Sequence, residues 1–180
     1  MPVSLSEDGQ EHFPLLVISY DPMRAKIVEI PAITGRDSGF KRKIVQAKVK
    51  NEGLGNASDC AVFVSYGSFK RQVSWDNGEK SITIPAEGAV YCNVAFSDSR
   101  LETMGVSWLK KGTTFLATSD AIQKPHAFFG AELPSDQQFF LQPGFHTIDL
   151  IVENSQSRFV NQMFRLNVSE NWSELSLQEL

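Results

Sequence analysis

Between Lys43 and Gly67 the chain reads KIVQAKVKNEGLGNASDCAVFVSYG. Val45, Ala47 and Val49 alternate with Gln46, Lys48 and Lys50, the two-residue period of a strand that turns one face to a core and the other to water. The stretch NEGLGN (51–56) supplies two Gly and two Asn for positive-φ positions, and after it Cys60, Val62, Val64 and Tyr66 resume an inward row. The pattern predicts two adjacent strands over 44–66. Val45, Ala47, Val49, Val62 and Val64 are expected in the core, with Lys48 and Lys50 exposed.

The same reading extends along the chain. Phe13 to Tyr20 (FPLLVISY) forms a first strand closed by Asp21-Pro22, because proline drives its predecessor out of helical geometry. Met23 to Ile30 is a second extended segment, followed by turn chemistry in PAITGRDSG. Ser81 to Ile84 and Ala89 to Ser97 are further strands, the latter with Val90, Cys92, Val94 and Phe96 on one face. Ile148, Leu150 and Val152, then Val160, Gln162, Phe164, Leu166 and Val168 after a turn at 153–157, predict a closing hairpin. Short alternating strands separated by turn signals argue an all-β, antiparallel two-sheet sandwich. Residues 1–12 read as a polar arm, 13–168 as one domain and 169–180 as a C-terminal tail.

The middle, 98–143, breaks the rhythm. Ser99-Arg100-Leu101-Glu102 satisfies the S-x-x-E capping pattern, and Leu101, Met104 and Trp108 could share a helical stripe ended by Gly112. Val106 to Leu109 reads equally as strand. An irregular excursion this long needs elements of its own, expected at 113–118 and 137–141.

The stretch KVKNEGLGNASDCAVFVSY resembles the CARDB-like family (cell adhesion related domain found in bacteria) of immunoglobulin-like sandwiches, with its strand ending in V-x-N-x-G, small-residue turn and second strand. LQPGFHTIDLIV is similar to the family's L-x-P-G-x-[HY]-x-[IV] hairpin entry, with Leu141, Pro143, Gly144 and His146 in the matching positions. The resemblance spans most of 40–168. It implies an immunoglobulin-like fold and carries no catalytic residue to transfer.

Composition narrows the function classes. The 180 residues can bury a full core. A net charge of −4 gives no global attraction to nucleic acid or anionic lipid, so neither is expected as a partner. The N-terminus carries Glu7, Asp8 and Glu11 where a signal peptide needs basic and then apolar residues, and two cysteines are too few for a disulfide scaffold. These features predict a cytoplasmic protein with Cys60 and Cys92 as buried thiols. H-E-x-x-H, C-x-x-C, G-x-S-x-G and phosphate-loop patterns are absent, so no enzyme, cofactor or metal is expected.

Arg42, Lys48 and Lys50 read as the solvated face of one strand, which Lys70-Arg71 joins if the sheet order places it alongside. The aromatic residues Trp108, Phe115, Phe128, Phe129, Phe139 and Phe140 crowd the irregular middle. Neighbours in a strand point to opposite faces, so one Phe of each pair could face a partner. The expected function is a non-catalytic interaction or accessory domain. Its partner is another protein, bound at Trp108, Phe128, Phe129, Phe139 and Phe140. The alternatives are an exported adhesion or carbohydrate-binding module, and an enzyme or metal protein.

Overall fold

A computed structural model describes residues 12–22, 24, 26–32, 39–102, 113–125, 140–156 and 158–180. In chain order its strands are β1 (Leu16–Ser19), β2 (Lys26–Ile30), β3 (Phe40–Asn51), β4 (Ala57–Tyr66), β5 (Phe69–Val73), β6 (Ile82–Ile84) and β7 (Ala89–Asp98). There follow β8 (Thr114–Leu116), the short helix α1 (Ser119–Gln123), β9 (Phe140–Leu141), β10 (Gly144–Glu153), β11 (Phe159–Val168) and β12 (Ser176–Glu179). They form two antiparallel sheets: β1-β3-β7-β8-β9 with β2 also on β3, and β12-β11-β10-β4-β5 with β6 also on β4. The inner rows of the two sheets meet in one core, as a sandwich requires.

The two strands over 44–66 form as the alternation predicts, and Val45, Ala47, Val49, Val62 and Val64 are buried. They lie in different sheets, so the NEGLGN turn crosses the sandwich. Its glycines serve a different purpose from the one expected. Neither Gly53 nor Gly55 has positive φ. A Cβ on Gly53 would collide with the backbone of Phe13 and Leu15, and one on Gly55 with His12, so these positions are kept bare by close approach of the N-terminal segment. Asn51 organises the crossing. Its Oδ1 accepts from the N–H of Leu15 and of Gly53 (both 3.0 Å), while Nδ2 donates to the carbonyls of Gly55, Ile84 and Pro85.

β1 and β2 pair with opposite ends of β3, at Lys48–Asn51 and Phe40–Ile44, and so line the same edge of it. The closing hairpin forms from Gly144 opposite Val168 to Glu153 opposite Phe159. Residues 169–180, which the pattern sets apart as a tail, supply β12 on the edge of β11 and bring Leu175 and Leu177 into the core. The capping pattern at Ser99 yields a 3-10 turn, Ser99–Glu102, and residues 103–112 lie outside the described part.

Three expectations about faces are corrected. First, β7 carries a bulge: Val45 pairs with Ala95 but Gln46 pairs with Asn93, leaving Val94 as the extra residue. The bulge resets the alternation, so Phe96 leaves the row of Cys92 and joins Ile44, Phe115, Ala117 and Ala121 on the outer face of the first sheet. Second, Arg42 is not solvated. It is 1% exposed, and α1 and the start of the middle segment cover it. Gln46, on the same row, is buried as well, and Lys48 is half-buried. Third, Lys70-Arg71 sits on β5 of the second sheet and cannot join the row on β3.

Candidate functional site

Of the aromatic positions that the sequence singles out, Trp108, Phe128, Phe129 and Phe139 lie outside the described residues. Phe140 is half-buried on β9, its ring 6.3 Å from Phe115, which stacks on Phe96 at 5.6 Å. Phe115 is buried. These rings line the first sheet's outer face, and α1 packs against them as its cover.

Beneath that cover lies a charged cluster. Arg42 donates from Nε and Nη2 to the two oxygens of Asp98 (2.6 and 2.8 Å) and from Nη1 to the Ala121 carbonyl (2.7 Å), with its guanidinium 3.8 Å above the Phe96 ring. Arg100 reaches the same carboxylate and the Pro125 carbonyl, and stacks on Phe40. Every strong donor of Arg42 is directed inward, so the cluster ties α1 to the sheet.

A second polar group sits where the chain after β5 crosses to the first sheet. Gln46 Nε2 donates to Asp76 Oδ1 (2.7 Å) and Asn93 Oδ1 (2.8 Å), Asn93 Nδ2 donates to Ser74 Oγ and the Trp75 carbonyl, and Lys26 Nζ lies 2.8 Å from Asp76. Burial opposes the charge on Asp76. Hydrogen bonds from Lys26 and Gln46, with the positive charges of Lys26 and Arg24, outweigh it and hold the carboxyl below its usual range. An adjoining open groove of about 370 Å³ is lined by Arg24, Asp76, Ile82, Val90 and Tyr91, and the Arg24 guanidinium covers the Tyr91 ring at 3.6 Å. A carboxylate so firmly ionised is a weak proton donor or acceptor near neutral pH. Among the described residues no three His, Cys, Asp or Glu side chains are grouped to hold a metal, and no helix is long and apolar enough to cross a membrane. His146 meets the Gln142 carbonyl at 2.7 Å, a contact within its own hairpin entry.

An accessible apolar cleft of about 480 Å³ lies between β1 and the start of β11. Pro14, Leu15 and Leu16 form one wall, held in place because the Leu15 N–H is bound by Asn51 and its carbonyl accepts from Glu52 (2.7 Å). Arg158, Phe159 and Val160 form the other, fixed by the β10–β11 turn, where Asn154 Oδ1 accepts from the N–H of Gln156 and Arg158. Phe159 is 72% exposed, Leu15 58% and Phe13 44%. The Arg158 guanidinium lies 4.4 Å from the Phe13 ring and forms no ion pair among the described residues.

Sequence pattern missed this cleft for a definable reason. Val160, Phe164, Leu166 and Val168 set the inward phase of β11, and Phe159 is out of phase with it. Leu15 and Val17 are likewise out of phase with the buried Ile18, but the unbroken run LLVI conceals which residues face out. Off-phase large apolar residues at the ends of two strands were the available signal. The chain matches no protein-family model and no curated protein.

Proposed function

We propose that this chain is a non-catalytic interaction domain, built on an immunoglobulin-like, CARDB-like sandwich, that binds another protein through the cleft between β1 and β11. The observation that carries the reading is the cleft itself: Leu15 and Phe159 stand in water on its walls, beside an Arg158 that lies over the exposed Phe13 ring and has no carboxylate partner among the described residues. Single exposed apolar residues are ordinary, whereas a contiguous group at a sheet edge is typical of a surface that a partner covers. The family reading rests on V-x-N-x-G, where Asn51 performs the turn-building task such a motif demands. A cytoplasmic setting fits two buried free thiols in a chain without disulfides. A carbohydrate-binding module would use an open aromatic face, and Tyr91 in the polar groove has Arg24 laid over its ring.

The test places a photo-crosslinking amino acid at Phe159 and, in a second protein, at Thr147 on the exposed face of the neighbouring strand. In native lysate the first should capture a discrete protein and the second should not, and Leu15→Ser with Phe159→Ser should abolish co-purification of that protein. Equal capture from both positions, or none from Phe159, overturns the reading.

A further inference from the structure

Resting on that reading, we propose that the partner enters the cleft as an extended strand added to β11 in line with β12. β12 pairs with Phe164–Asn167, and the Leu180 N–H reaches the Met163 carbonyl at 3.2 Å. On that edge no strand among the described residues pairs with Phe159–Gln162, although β10 pairs with all four from the other side. Met163 directs its carbonyl to the β12 side. By the two-residue period Asn161 and Phe159 direct their N–H and C=O groups to the same edge, about 13 Å of unpaired ladder. β1 runs alongside and supplies the opposite wall.

The geometry specifies the occupant. Only a chain running antiparallel to β11 continues the line of β12, so it travels from the Leu180 end toward Arg158. Residues directly opposite share a face. Those opposite Gln162 and Val160, whose side chains are half-buried, point into the cleft with Leu16 and are apolar. Those opposite Asn161 and Phe159 lie on the solvent face and must keep their N–H groups, which excludes proline there. The downstream end meets Arg158, which has no carboxylate partner among the described residues and which an acidic residue complements. The segment recognised is thus apolar-x-apolar-x-acid, bound mainly through its backbone.

The experiment appends Val-Thr-Val-Thr-Glu after Leu180 of the full chain, so that the segment is presented at high effective concentration. Hydrogen exchange of the Asn161 and Phe159 amides, rapid in the unextended protein, should slow about tenfold or more, while Val160 and Gln162, already bonded to β10, change little. Val-Pro-Val-Pro-Glu keeps the apolar and acidic groups but removes both N–H groups that face β11, and should give no slowing. Slow exchange at Asn161 and Phe159 before extension means that the edge is already filled and overturns the proposal. No slowing with the first segment, or equal slowing with both, does the same. Capture at Phe159 without ladder protection would leave the interaction surface standing and remove the added strand, so the two failures are distinguishable.

Discussion

Along β10 of the second sheet Ile148, Leu150 and Val152 are buried while Phe145 and Thr147 stand in water. Along β3 of the first sheet the inward row Val45, Ala47 and Val49 is buried, and so is most of the other row: Phe40, Arg42, Ile44 and Gln46. Both strands carry a polar-apolar alternation, yet only one has a solvent face. The difference comes from what the chain lays on top. α1 and the residues just before it pack on the first sheet's outer face, where Ala117 and Ala121 join Ile44, Phe96 and Phe115, and the described part of the second sheet has no such layer. An Arg or Gln at an outward position therefore does not mark a wet face. It can equally mark a polar side chain that is paired on the neighbouring strand and covered by an element arriving from elsewhere in the sequence, as Arg42 is by Asp98 and α1.

The most severe way to break the comparison is to unpair the covered face. Arg42→Met leaves the Asp98 carboxylate buried with Arg100 as its remaining cationic contact and strips the Ala121 carbonyl of its donor. Removing one partner of a buried pair typically costs about 3–5 kcal/mol, whereas replacing both by apolar groups is often nearly neutral. Urea denaturation should show that loss for Arg42→Met and recovery of most of it in Arg42→Met/Asp98→Leu. Arg165→Met, on the exposed row of β11, should stay within about 0.5 kcal/mol. Equal effects of the two Arg changes would mean that the first sheet has a wet outer face after all.

Gln46 gives a milder break. Gln46→Ala removes a donor shared by Asp76 and Asn93 in a buried site, and a loss of about 2 kcal/mol is expected. Asn161→Ala removes hydrogen bonds of 3.2 Å to Asp149 in the exposed row of the second sheet and should change stability by less than about 0.5 kcal/mol. Melting of the two variants side by side decides the matter.

These contrasts show which parts of the fold could be read beforehand. Where one face meets core and the other water, as in β4, β10 and β11, periodicity alone places the inward side chains. Where both faces are buried, the period survives but loses its meaning, and nothing local in FKRKIVQA says that a helix near residue 121 will cap Arg42. The bulge at Val94 was equally hidden, since one extra residue leaves no mark in a strand buried on both sides. β12 was missed because SLQE is short and its one core side chain, Leu177, gives no repeat to detect. For the candidate cleft, Phe159 was legible as a residue out of phase, but its proximity to Leu15 is a product of tertiary packing. The aromatic residues chosen instead belong to a segment where pattern had no period to follow.

The two inward cysteines sharpen the comparison through pH. Burial raises both thiols, Cys60 on the second sheet to about 11 and Cys92 on the first, between two covered faces, to about 12. A raised thiol pKa means that the folded state keeps its proton after the unfolded chain has lost it. The contribution to stability is whole below about pH 9 and drains away as pH climbs through the interval up to the folded values. At pH 9.5 each thiol should cost about 1 kcal/mol relative to pH 7, a dependence that Cys60→Ala and Cys92→Ala each reduce. Both thiols should resist alkylation in the native protein at pH 8, and two modified cysteines should appear after denaturation without reductant. Rapid native modification of Cys92 would show that its strand is not enclosed on both sides.

The smallest expected effect isolates burial as the cause. Lys70 and Glu153, across the outer face of the second sheet, lie 2.6 Å apart, the same separation as Arg42 Nε and Asp98 Oδ1. Distance alone would rank the two pairs together. Their surroundings differ: both side chains of the first pair remain 45% exposed, against 1% and 0% for the second. In water-accessible surroundings the attraction between unit charges is screened, and holding two long side chains in one geometry costs entropy, so an exposed pair contributes about 0–1 kcal/mol. When one partner of that pair is removed, the other returns to water at little cost. Glu153→Gln should therefore lower stability by about 0.5 kcal/mol or less, and even that should shrink in 1 M NaCl, where charges are screened within about 3 Å. The loss from Arg42→Met should be nearly unchanged by the same salt, because ions do not reach the pair. Should Glu153→Gln cost as much as Arg42→Met, or should both respond alike to salt, the second sheet's outer face would be covered too, and the contrast between the two sheets would fall.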